Sequence, residues 1–204
     1  ELMVRRAMAD VLTRLFRRLG DDALPFYYQL RDDSDSDILD AVSTTSADLR
    51  FLDVDMWAEN LVELSNHELP VVRRNLVPSL REYFETFPDD TRKLLPVMWQ
   101  DGDEVVRTRM RELLIKMSDI SSTQFGARIT DLNQHGCDLS ALWRLMDARR
   151  KGSSEAWKSW LSGEGEMPET IETMRHVSTM QAPEELPDLS EALETLDEEL
   201  GFLD

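Results

Sequence analysis

The sequence predicts an all-α chain organised as an α-solenoid, and three observations carry that expectation. A nine-residue phrase returns at a regular step, as VRRAMADVL from Val4, VRRNLVPSL from Val72 and VRTRMRELL from Val106. The first two starts lie 68 residues apart and the last two 34, so the interval is 34 or twice 34. Self-similarity at such a period marks stacked helical units. Apolar residues also recur at helical spacing through most of the chain. Finally, a composition rich in Leu, Arg, Glu and Met, with only 8 glycines in 204 residues, favours helix. The expected architecture is three to four antiparallel helix pairs over residues 1–162, followed by a flexible acidic tail.

The elements follow in order. Val4, Met8, Val11, Leu12, Leu15 and Phe16 predict a first helix over 2–19, with Gly20 as its C-cap and Asp21 and Asp22 as caps for what comes next. Residues 23–30 form a short apolar stretch, and RDDSDSD after it reads as a polar break rich in N-cap residues. Helix resumes over 37–46. The missing copy of the phrase falls here, where ILDAVSTTS from Ile38 keeps the apolar positions but lacks the arginine. Asp53 or Asp55 opens a helix through Trp57, Leu61 and Leu64, and Asn66 and His67 turn the chain. Pro70 sits where a first helical turn tolerates proline. The next helix runs through Val72, Leu76, Leu80 and Phe84. Pro88, Asp89 and Asp90 open another through Leu94, Leu95 and Trp99. The turn QDGD at 100–103 leads into a helix holding Val106, Met110, Leu114 and Met117. Helices over 122–134 and 138–149 form a weaker pair, the second with its apolar register offset by one residue, and a last body helix spans 153–161.

Residues 163–187 lack sustained periodicity and contain Pro168, Pro183 and Pro187, so they read as a linker. In the segment 188–204, Leu189, Leu193, Leu196, Leu200 and Leu203 step by four, three, four and three, with acids on the other faces. That is an acidic amphipathic helix, suited to capping the last repeat or docking on a partner. The chain's net charge of −18 sits mostly here: residues 164–204 hold 13 acids and one base, leaving the body at −6.

Several classes find no support in the residues. No stretch of about 18 apolar residues exists to span a membrane. There is no phosphate-binding glycine loop, no HExxH and no paired CxxC. His135 and Cys137 share a turn without a third ligand, and no catalytic group, metal set or cofactor box is assigned. One cysteine, Cys137, excludes an internal disulfide and fits a reducing, cytoplasmic setting. The opening ELMVRRAMADVL starts inside the repeat phrase, and the expectation is a fragment or processed chain.

Val72-Arg73 after Pro70 and Val106-Arg107 after Asp101 resemble the short, Val-Arg type of HEAT repeat, and Val4-Arg5 shares the dipeptide. The resemblance covers about residues 50–118 well, and 1–49 and the stretch to 161 in part. It implies an armadillo-like helical stack in which the arginine reaches a carboxylate in an inter-helix turn. The ladder candidates are Arg73, Asp101 and Arg107. A period of 34 also fits TPR units, but the Trp, Leu-Gly, Tyr and Ala of that pattern do not recur.

The expected role is a non-catalytic scaffold binding a protein partner. The alternative is a nucleic-acid-binding protein of DNA-repair type. There the arginines of the second helices would contact phosphates and the acidic tail would modulate them. Candidate surface residues for either are Arg74, Arg81, Arg109, Arg111 and Trp99; Leu189, Leu193, Leu196 and Leu200 are the candidate partner-helix stripe.

Overall fold

Local capping chemistry sets where the helices begin. In this computed structural model the described residues are 1–149 and 153–169, and they belong to one compact unit, Glu1–Thr170. The acidic stretch 188–204 and most of the expected linker lie outside the described residues. Helix α1 is Leu2–Leu19, ended by Gly20 at φ 56, a conformation that costs L side chains energy. Asp21 and Asp22 do not cap the next helix as expected. They open a 3₁₀ turn, Gly20–Ala23, without a side-chain cap bond, and the short apolar stretch is itself a helix, α2, Leu24–Arg31. Pro25 in its first turn presets the φ of the helix start, where no side chain caps.

Asp35 caps α3, Ser36–Thr45, through the Ile38 N–H. Helix α3 ends in a second 3₁₀ turn, Ser46–Phe51, which periodicity alone did not reveal. Asp53 caps α4, Val54–Leu64, by accepting from the Asp55 and Met56 N–H groups. Helix α5 is Pro70–Thr86, α6 is Thr91–Trp99 and α7 is Glu104–Ile120, the last capped by Asp103. Ser121 caps α8, Ser122–Gln134; α9 is Ser140–Arg149 and α10 is Ser153–Leu161. The described residues contain helices, turns and coil and no strand, so the chain is all-α.

Two prolines sit inside helices. Pro78 lacks the N–H that would bond the Arg74 carbonyl one turn earlier. That carbonyl instead accepts from Arg109 Nη1 of α7 at 2.9 Å. A local defect in α5 thereby becomes a link to α7.

Packing follows the repeat. α1 packs on α3, α3 on α5, α5 on α7 and α7 on α9, while α6 packs on α8. The long-range side-chain hydrogen bonds among the described residues span 28 to 39 positions, one repeat and no further. The core is continuous along this series. Leu12, Tyr27, Trp57, Leu76, Met110 and Phe125 are all fully buried within it.

Candidate functional site

The phrase valines and arginines occupy distinct places. Ile38, Val72 and Val106 are fully buried, one residue before the position where arginine stands in three of the four copies. Arg73 reaches from the start of α5 to the turn before α7. Its Nε donates to Asp101 Oδ2 at 2.6 Å and its Nη2 to Asp101 Oδ1 at 2.8 Å. A fork on a carboxylate is the strong form of this contact. Arg73 Nη1 also donates to the His67 and Glu68 carbonyls, so one guanidinium ties its own turn to the next. Arg74 beside it forks onto Asp103 at 2.9 and 2.5 Å.

The same clasp recurs 68 residues earlier. Arg5 donates to Asp33 at 2.6 Å, and Arg6 forks onto Asp35 at 3.1 and 2.7 Å. In both places the second aspartate also caps the following helix, and its own N–H donates to the first aspartate, at 3.0 Å for Asp35 and 2.7 Å for Asp103. The signal was present in the sequence: Arg-Arg followed 28 to 29 residues later by Asp-x-Asp, twice. Asp33 and Asp35 of the polar break RDDSDSD are thus arginine partners, and Asp35 is a cap residue as well.

The intervening copy is built differently. Leu39 and Asp40 stand where Arg73 and Arg74 stand one repeat on, and His67 and Leu69 stand where the two aspartates do. Leu39 is buried. His67 Nδ1 accepts from the Leu69 N–H at 3.1 Å, so the turn keeps its shape without an aspartate. Asp40 there binds Asn75 Nδ2 at 2.6 Å. Junctions with and without an arginine–aspartate clasp alternate, and that alternation is why the phrase is closest to itself at 68 rather than 34.

Arg107 does not share the Asp101 carboxylate. It donates to the Asp101 main-chain carbonyl and to Glu104. The remaining surface candidates are also occupied. Arg81 pairs with Glu85 at 2.9 Å, Arg111 with Glu104 at 3.1 Å, and Arg109 holds the Arg74 carbonyl. Trp99 is buried, and its indole N–H donates to the Asp138 carbonyl at 3.1 Å, so little of the ring faces solvent. Leu189, Leu193, Leu196 and Leu200 lie outside the described residues.

Electrostatics follow from these pairs. The bond from Arg5 holds Asp33 below the usual carboxylate range, and the bonds from Arg6 and Arg74 do the same for Asp35 and Asp103. Burial pushes Asp101 up, but the Arg73 fork and the Asp103 N–H outweigh it and the net shift is downward. Lowered folded-state values mean that the unfolded chain binds more protons in acid. The stabilisation is therefore complete above about pH 4, the ordinary carboxylate range, and is lost progressively below it. Thermal melts are expected to hold a level midpoint down to about pH 5 and to fall below about pH 4. A midpoint that keeps rising through that range would mean that relief of net repulsion outweighs the clasps.

No cluster of three or more His, Cys, Asp or Glu placed to hold a metal occurs among the described residues. Cys137 is buried, burial pushes its thiol up, and Gln100 donates to its sulfur at 3.2 Å. Among the described residues no helix is long and apolar enough to cross a membrane. No protein-family model, no curated protein and no solved structure matches this chain.

Proposed function

We propose that the chain is a HEAT-like α-solenoid acting as a non-catalytic, protein-binding scaffold. Alternate helices in contact and hydrogen bonds that stop one repeat away support the stacked reading. The occupied arginines carry the choice of a protein over a nucleic acid. Arg73, Arg74, Arg81 and Arg111 each lie against a carboxylate. A phosphate would have to displace those acids from a body of net charge −6. A single buried cysteine supports a reducing cytoplasm.

The surface that suits a partner is the outer face of α1. Val4 is 55% exposed, while its counterparts Val72 and Val106 are 1% and 0% exposed. Val11 and Leu19 extend that stripe and are exposed too. In the later repeat the corresponding face is covered from α4, whose Trp57 packs edge-on against Tyr83, the counterpart of Leu15. Helix α4 carries Asp55, Glu59 and Glu63 and no basic residue. Arg14 and Arg18 fall beside the α1 stripe at helical spacing and have no carboxylate partner among the described residues. The stripe suits an amphipathic helix with an acidic flank.

Capture from nuclease-treated lysate tests this reading. A defined protein should be retained by the chain and bound at least about tenfold more weakly by a Val4→Asp/Val11→Asp variant, because a charge is placed in an apolar contact. Both positions are already exposed, so the variant should melt close to the parent. Partners that vanish with nuclease, or that bind the variant equally, overturn the proposal and favour nucleic-acid binding.

A further inference from the structure

One charged side chain fits neither the clasps nor the surface. Arg128 on α8 stands one repeat after Leu94, a fully buried core leucine on α6. The substitution places a guanidinium where the preceding repeat keeps a hydrocarbon and the one before that keeps the buried amide of Asn60. Arg128 is 6% exposed. Its Nη1 donates to the Thr91 hydroxyl, which itself donates to the Pro88 carbonyl at 2.9 Å. Its guanidinium carbon lies 5.8 Å from the Phe84 ring centre. Its Nε–H is buried and has no hydrogen-bond acceptor.

The acid that faces it is not placed to satisfy it. Asp131 Oδ2 is 3.8 Å from Arg128 Nε, beyond hydrogen-bond reach, and Asp131 Oδ1 accepts from Arg92 Nε at a long 3.4 Å. Two guanidiniums thus converge on one loosely held carboxylate. Asp89 also lines the space, but it is exposed and its charge is screened by water. The four groups border a cavity of about 560 Å³, to which Thr130, Gln134 and Trp160 also contribute. The volume suits a small ligand, and a hydroxyl and an amide add neutral donors. A buried guanidinium with an open N–H is costly unless something completes it. Desolvation lowers the Arg128 pKa, in line with that incomplete pairing.

We propose that this cavity between α6, α8 and α10 is a binding site for a small oxyanion, a phosphate or carboxylate group, held by Arg128 and Arg92. The anion accepts from the unpaired Arg128 Nε–H and from Arg92, whose side chain is 63% exposed and held to Asp131 only by a long bond. Asp131 then keeps the two guanidiniums apart rather than neutralising both. The site stands independently of the scaffold reading.

Arginine Nε–Hε resonances report directly on this geometry. The Arg128 signal is assigned by its loss in Arg128→Leu, the residue the repeat uses one step earlier and one expected to fold. The protein is titrated with inorganic phosphate and, separately, with acetate, at constant ionic strength set by chloride. The Arg128 signal should move downfield and saturate, with half-saturation on the order of 1 mM for the preferred anion. The two titrations show which oxyanion the cavity takes. Arg92→Gln should weaken the effect roughly tenfold. An Arg128 signal unmoved by either anion means that Asp131 alone serves the guanidinium, and the proposal fails. It fails equally if the shift persists unchanged in Arg92→Gln.

Discussion

A Trp57→Ala variant is expected to lose about 4 kcal/mol of stability, read as a lower urea midpoint with an unchanged slope. Trp57 is fully buried and meets Tyr83 edge-on, with ring centres 6.2 Å apart. Removing it opens a large void between α4 and α5 that flanking helices cannot close without shifting. The loss is a substantial share of the roughly 5–15 kcal/mol that a domain holds in total. Trp57→Phe should cost far less, under about 1.5 kcal/mol. The indole N–H is buried without an acceptor, so phenylalanine removes an unsatisfied donor along with part of the ring. Equal losses for alanine and phenylalanine would show that the N–H finds a partner this account lacks.

Asp101→Ala is the second large effect, with an expected loss of about 3 kcal/mol. The substitution removes both acceptors of the Arg73 fork and leaves a largely buried guanidinium unmatched. It also removes the acceptor of the Asp103 N–H, and so loosens the cap of α7. Glu85→Ala is the contrasting case. Its pair with Arg81 is an exposed i, i+4 contact, and the loss should stay under about 0.5 kcal/mol. Comparable losses at the two positions would remove the distinction between clasp and surface pair.

The repeat was legible in the sequence because helix boundaries are local chemistry. Asp53, Asp103 and Ser121 stop and start helices through bonds to residues two or three positions away. Helix α2 was not legible as a helix, because eight residues are too few for periodicity to separate helix from strand. The 3₁₀ turn at 46–51 escaped for the same reason. Pro78 in the interior of α5 gave no warning of its consequence, since the group that replaces its missing bond, Arg109, arrives from another helix.

The candidate site shows the same division. Asp101 as an arginine partner follows from the repeat. The choice of Arg73 over Arg107 does not, because both arginines lie within reach of that turn and only packing of α5 against α7 decides which one faces the carboxylate. The double period needed a comparison of junctions rather than of phrases: Leu39 with His67 at one, Arg73 with Asp101 at the next. Trp99 looked available because aromatic residues serve both cores and surfaces. Its burial depends on α9 and the turn before it, whose register had slipped by one residue. Arg128 was lost among many arginines, although overlay on Leu94 singles it out.

Arginine–aspartate clasps join alternate helix turns, Arg5 and Arg6 to Asp33 and Asp35 and Arg73 and Arg74 to Asp101 and Asp103. A double-mutant cycle on Arg73 and Asp101 tests this fastening most directly. Arg73→Leu supplies the residue found at the junction without a clasp, and Asp101→Asn keeps the shape of the turn. A coupling free energy above about 1.5 kcal/mol in urea unfolding is expected. Losses that add within about 0.5 kcal/mol would contradict the fastening.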